Sequence, residues 1–114
     1  MRAGMLFRGI RVEIRGDVLA VRSPFTNKNI RLRDINDVSL KENVEIGHMI
    51  EGTNGGSRCS GRFRNSEFGP YDLAYNTSSA SAVVVRYGEG DTVVFNRPSL
   101  SETESLYREI IGSI

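Results

Sequence analysis

The chain has 114 residues, 39% of them apolar and 25% charged, with 15 basic and 14 acidic side chains. These are the proportions of one ordinary globular domain, and they exclude disordered and low-complexity classes. The longest apolar run, residues 82–85, is too short to cross a bilayer, and the basic N-terminus lacks the apolar stretch of a signal peptide, so a single cytoplasmic domain over residues 1–114 with no transmembrane segment is expected.

Strands are expected from about residue 5 to residue 96, and the reading is clearest at Ile10, Val12 and Ile14. These alternate with Arg11, Glu13 and Arg15, so apolar side chains fall on one face and charges on the other. Gly16 and Asp17 form a two-residue loop with glycine first, and residues 18–21 return as the second arm of a tight hairpin. Residues 23–27 make the next turn, around Pro24 and Asn27. Alternation resumes at Ile30, Arg31, Leu32 and Arg33, a short bend follows at residues 34–37, and a strand from Val38 runs on toward Val44 and Ile46. Residues 52–70 are rich in glycine, serine and asparagine without a sustained period, which predicts a mobile connection over residues 52–61 entering a strand near Gly61. Strand signals return at Tyr71, Leu73 and Tyr75 and at residues 82–87, and residues 88–91 turn the chain into residues 92–95. The period then changes. Thr103, Leu106, Tyr107, Ile110, Ile111 and Ile114 form one apolar stripe at helical spacing, behind the capping pairs Ser99 with Glu102 and Ser101 with Glu104, so a helix is expected over about 100–112. About seven antiparallel strands and one amphipathic helix suit a bent sheet or barrel whose open end the helix plugs.

Chemical motifs are few. Gly56, Gly61 and Arg62 imitate the spacing of a phosphate-binding loop, but the Lys-Ser/Thr pair is missing and turn residues follow where a helix is needed. His48 and Cys59, the only histidine and the only thiol, are weighed as a nucleophilic pair, and Asp34 and Asp37, three apart, as paired carboxylates for acid/base work or a hard cation; a solvent-exposed or packing role for the first two and a capping or turn role for the last two are the expected readings. The tripeptide Arg15-Gly16-Asp17 matches an adhesion motif, yet glycine and aspartate are what the hairpin needs. No catalytic residue, cofactor or metal site is therefore assigned. Charge is more informative. Residues 1–33 hold eight basic side chains against Glu13 and Asp17, whereas residues 34–57 hold five acidic ones against Lys41. Arg11 with Arg15, and Arg31 with Arg33, share strand faces, and they merge with Arg22 and Lys28 if those strands are neighbours. Single-stranded nucleic acid would need exposed aromatic rings beside them, and only Phe7 and Phe25 qualify, so nucleic acid is disfavoured.

The order of these features resembles the bacterial pleckstrin-homology-like (PH-like) domain family. It rests on residues 30–35 leading into the strand at Val38, on Gly61-Arg62-Phe63, on residues 73–76, and on residues 83–87 followed by 93–96 before the helix. The resemblance implies a mainly β fold, a strongly bent antiparallel sheet or barrel capped by a C-terminal helix. It also implies kinship with lipid-binding and protein-docking modules. Phosphoinositide binders hold the headgroup with basic residues flanking a long first hairpin loop, and Gly16-Asp17 is too short for that. The expectation is thus a non-enzymatic binding or assembly module that docks a protein or self-associates as a homo-oligomer through sheet edges. The alternative is a binder of anionic ligands, acidic lipid headgroups or nucleic acid. The candidate contact residues are Arg11, Arg15, Arg31, Arg33 and Arg62, with the connection at 52–61.

Overall fold

The structure, a computed structural model, describes residues 9–114. The expected start of the first strand near residue 5, and Phe7, lie outside the described residues.

Among the described residues nine strands form two sheets, two strands more than expected. The first sheet is a meander of β1 (Arg11–Arg15), β2 (Val18–Ser23) and β3 (Thr26–Arg31) in that order. Gly16 takes φ 65 at the β1–β2 loop, a left-handed conformation glycine adopts without strain. Leu32–Asp34 is one turn of 3-10 helix, so Leu32 and Arg33 leave the strand they were expected to extend. It leads into β4 (Ile35–Lys41), which stops at Lys41 instead of running on to Val44. β5 (His48–Gly55), β6 (Arg58–Asn65), β7 (Gly69–Asn76), β8 (Ala82–Tyr87) and β9 (Asp91–Phe95) complete a second sheet in the order β4-β8-β9-β7-β6-β5.

The second sheet departs from expectation in two places. Residues 52–61 are not a mobile connection but the heart of the β5–β6 hairpin, turned at Gly56 and Ser57, and β6 begins at Arg58 rather than near Gly61. The glycines serve close packing: Gly52 opposes Gly61, and a Cβ on either would lie 2.1 or 2.2 Å from a backbone oxygen of the other strand. The sheet is also not wholly antiparallel. β7 and β9 pair in parallel at Asp72 with Val93, Leu73 with Val94 and Ala74 with Phe95, because the connection at 77–81 skips one strand position and the β8–β9 hairpin fills it.

Both faces of the second sheet are covered. On one face, Val38, Ala74, Val83, Val85, Val93 and Phe95 pack against Val12, Leu19, Val21 and Ile30 of the first sheet and against Leu106 and Ile110 of the helix α1 (Leu100–Ile111). The helix starts where Ser99 caps it, its hydroxyl accepting from the Glu102 amide at 3.2 Å and donating to the Glu102 carboxylate at 2.7 Å. Leu106 and Ile110 are fully buried, each contributing about 1.5–3 kcal/mol, whereas Ile111 and Ile114 of the expected stripe stay exposed. On the other face, Phe63, Tyr71, Leu73, Tyr75, Val84 and Val94 form a second core beneath Val44, Ile46 and Phe68. Val44 and Ile46 belong to the connection that crosses this face from edge strand β4 to edge strand β5. The Val44 amide ties the segment down, donating to the Ala80 carbonyl at 3.2 Å. Burial on both faces explains why Tyr71 to Asn76 are all buried without a polar alternation. Among the described residues no helix is long and apolar enough to cross a membrane.

Candidate functional site

The outer edge of β5 stands apart from the rest of the surface. β5 pairs only with β6 among the described residues, and its pairing slips between Met49 and Glu51, leaving Ile50 as an extra residue. Such a bulge kinks the edge and re-aims side chains. Here it presents Met49 and Ile50, 46% and 53% exposed, side by side. Met49 opposes Phe63, while His48 opposes Arg64 and Glu51 opposes Arg62. Arg62 and Arg64 share a face two residues apart, so the inserted residue places His48 and Glu51 on one face although they are three apart.

Next to this edge sits the tip of the β2–β3 turn, held by a short polar network. The Ser23 and Ser60 hydroxyls meet at 2.6 Å, and the Ser60 hydroxyl accepts from the Phe25 amide at 3.2 Å. Thr26 donates through Oγ1 to the Leu73 carbonyl at 2.7 Å and accepts from the Gly61 amide at 3.0 Å. Phe25 is left 58% exposed. With Glu51, Arg62 and Asp72 it lines a shallow depression of about 230 Å³. A second cleft of about 430 Å³, lined by Glu45, Gly47, His48, Arg64, Asn65 and Ser66, opens at the other end of the edge. Its wall is fixed by the Asn65 amide donating to the Glu45 carbonyl at 2.7 Å.

The five arginines singled out from the sequence do not form one patch. β2 lies between β1 and β3, and the register aligns Arg15, Val18 and Arg31 in one row and Arg11, Arg22 and Asn27 in another. Arg11, Arg15 and Arg31 therefore share the outer face of the first sheet with Arg22. Arg15 pairs with Glu13 at 3.6 Å. The Arg22 guanidinium is tied back, donating to the Lys28 carbonyl at 2.8 Å and to Asn29 Oδ1 at 2.5 Å. Arg33 sits on the 3-10 turn, beside Asp17, Leu32 and Ile35. Arg62 is on the second sheet, and Lys28 points away from the outer face; both converge on Asp72, at 3.2 and 3.4 Å.

The residues weighed for catalysis are separated. His48 and Cys59 lie at opposite ends of the β5–β6 hairpin, five residues of β6 apart, or about 17 Å. Cys59 is buried and donates to Asn54 Oδ1 at 3.0 Å, and burial pushes its thiol up from the ordinary 9.0, toward the unreactive neutral form. Burial likewise raises Tyr71, reinforced by Cys59 and Tyr75, and the Tyr71 hydroxyl donates to the Ile46 carbonyl at 2.7 Å. Asp34 ends the 3-10 turn, its carbonyl accepting from the Gly88 amide at 3.0 Å, and Asp37 opposes Arg86 on β4. Among the described residues no group of His, Cys, Asp and Glu could hold a metal ion.

Met49 and Ile50 were missed from sequence because a bulge breaks the period of two that identifies a strand. The available signal was two adjacent large apolar residues between His48 and Glu51 in a segment too short to be a helix.

A family model described as Bacterial PH domain matches residues 10–95, and the chain belongs to that family. Its membership makes the chain a binding or docking module in general terms. No curated protein and no solved structure matches it.

Proposed function

We propose that this bacterial PH domain is a non-enzymatic protein-docking module whose contact surface is the bulged edge of β5 with Phe25 beside it. The observation that carries the reading is the exposure of Met49 and Ile50 together on an edge strand, next to a third large exposed apolar side chain, Phe25. Adjacent exposed apolar side chains rimmed by polar ones mark interaction surfaces. The bulge disfavours a simple added strand, so affinity comes from side-chain burial more than from a new hydrogen-bond ladder. The test is affinity capture from the native cell with wild type and with Met49→Ser/Ile50→Ser, both checked for an unchanged melting curve. A partner retained by wild type and lost by the variant is the expected result; identical captured sets refute the surface.

A second reading, binding of acidic lipid headgroups, is favoured by the alignment of Arg15 and Arg31 across the first sheet. It expects salt-sensitive cosedimentation with phosphatidylglycerol vesicles that Arg15→Ala/Arg31→Ala abolishes. Absence of binding at low salt rules it out. Nucleic acid is the weaker form of that reading, because among the described residues no aromatic side chain stands on that face.

A further inference from the structure

The β5 edge is complementary to itself, and we infer that its partner is a second copy of this chain, docked edge to edge about a two-fold axis through the Met49–Ile50 peptide. The inference rests on the docking reading above and names the occupant of that surface. Two copies of β5 running antiparallel about that axis place residue 49 of one opposite residue 50 of the other, and residue 48 opposite residue 51. Met49 then meets Ile50 twice, and His48 meets Glu51 twice.

The bulge is what makes this work. In a regular strand, residues 48 and 51 would project to opposite faces, and a two-fold perpendicular to the sheet would leave each of these side chains facing nothing. Because Ile50 is inserted, His48 shares the face of Arg64 and Glu51 shares the face of Arg62, which is one face. The perpendicular two-fold preserves faces, so each imidazole comes beside the partner copy's carboxylate. All four residues from His48 to Glu51 are exposed, so none must leave the protein's own core to engage. Within its own chain His48 is bordered by Glu45 of the crossing connection and Arg64 of β6, and Glu51 by Arg62, which is already engaged by Asp72. The kink interrupts the hydrogen-bonding edge, so the contact is short, and an isologous pair closes on itself and leaves no second β5 edge for further growth. A contact of this size lies at the low end of interface areas, which implies a weak dimer that dissociates on dilution.

Light scattering and sedimentation equilibrium from micromolar to millimolar protein test it. The mass should rise from 12.7 kDa toward twice that value with concentration. His48→Glu sets carboxylates opposite one another twice, and Glu51→Lys removes the acceptor that faces the His48 ring twice, so each should weaken dimerisation by about tenfold or more. The double variant His48→Glu/Glu51→Lys reverses both pairs and should recover to within about threefold of wild type. Recovery on reversal is specific to a pairing of 48 with 51 across two copies, and a fold-damaging substitution would not show it. Met49→Ser/Ile50→Ser should be monomeric with an unchanged melting curve. A wild-type chain that stays at 12.7 kDa throughout overturns the second-copy inference. So does a dimer that survives the serine variant, or one the double swap fails to restore. Loss of the docking reading itself would look different: captured proteins unaffected by the serine variant.

Discussion

Asn96 is the residue whose loss should cost the fold most for its size. It is fully buried just after β9. Its Nδ2 donates to the carbonyls of Asn76, Ser79 and Ser81 at 3.1, 3.2 and 3.0 Å, and its Oδ1 accepts from the Asn76 amide at 2.7 Å and from Asn76 Nδ2 at 3.2 Å. One side chain thus satisfies the end of β7 and the connection at 77–81, the segment that steps over the position β9 occupies. Replacing it with alanine leaves the buried Asn76 amide without its acceptor and the Ser79 and Ser81 carbonyls short of a donor. At about 1–3 kcal/mol for the amide and about 1 kcal/mol for each carbonyl, Asn96→Ala should destabilise by about 3–5 kcal/mol, a large part of the stability of a domain this size. Asn96→Asp should be no better at neutral pH, because it turns the donor that faces three carbonyl oxygens into an acceptor. Urea unfolding followed by circular dichroism measures both, with the loss read from the midpoint at constant slope. A loss below about 1 kcal/mol for Asn96→Ala would refute the accounting.

Gly52→Ala or Gly61→Ala should each cost about 2–3 kcal/mol or more, because the new Cβ would lie 2.1 or 2.2 Å from a facing backbone oxygen at φ 138 or 131. Gly56→Ala, with φ 62 and open space around it, should cost only about 1 kcal/mol, and equal losses at the three positions in urea melts would contradict the close-approach explanation. Thr26→Val removes the hydroxyl that links the first sheet to Leu73 and Gly61 and should cost about 2 kcal/mol, while Thr26→Ser should retain most of it; a neutral valine variant would show that the link is not needed. Alkaline stability follows from Cys59, whose folded thiol is raised above the ordinary 9.0. The folded state holds its proton more tightly than the unfolded chain, so its contribution is complete below that value and is lost as pH rises above it, with buried Tyr71 and Tyr75 and half-buried Tyr87 adding losses above 10.0. Cys59→Val should move the onset of the decline upward in thermal melts taken across that range, and an unchanged onset would exclude the thiol as its cause.

The parts of the fold legible in the sequence are those where one local rule decides. Ile10 to Arg15 alternate because one face of the first sheet is buried and the other is not, Gly16 marks its hairpin, and Ser99 with Glu102 marks the helix start. Where two faces are buried or a residue is inserted, the rule fails. Glycine in the β5–β6 hairpin reads as looseness, yet Gly52 and Gly61 are there because two backbones approach too closely for any side chain. Long-range order leaves no local mark either: nothing near Asp72 or Val93 indicates that β7 and β9 run parallel, since that follows from which gap the later hairpin fills. The candidate contact residues divide in the same way. An exposed arginine can be read from alternation, but its partner across the sheet cannot.

That division bears on which surface deserves the functional reading. In sequence, the basic first third and the acidic segment after it suggest a footprint for an external anion. In the folded chain much of that charge is answered internally: Arg15 by Glu13, Arg22 by carbonyl oxygens and Asn29, and Lys28 and Arg62 by Asp72, which is nearly buried between them. A guanidinium already held by its own sheet must break those contacts to serve a ligand, and exposed pairs of this kind return little when exchanged for another partner in water. Met49 and Ile50 are in the opposite position. Nothing among the described residues gains from their exposure, whereas burying half-exposed methionine and isoleucine side chains on each side of a two-fold contact gains free energy roughly in proportion to the apolar area covered. The asymmetry favours the edge of β5 over the arginine face.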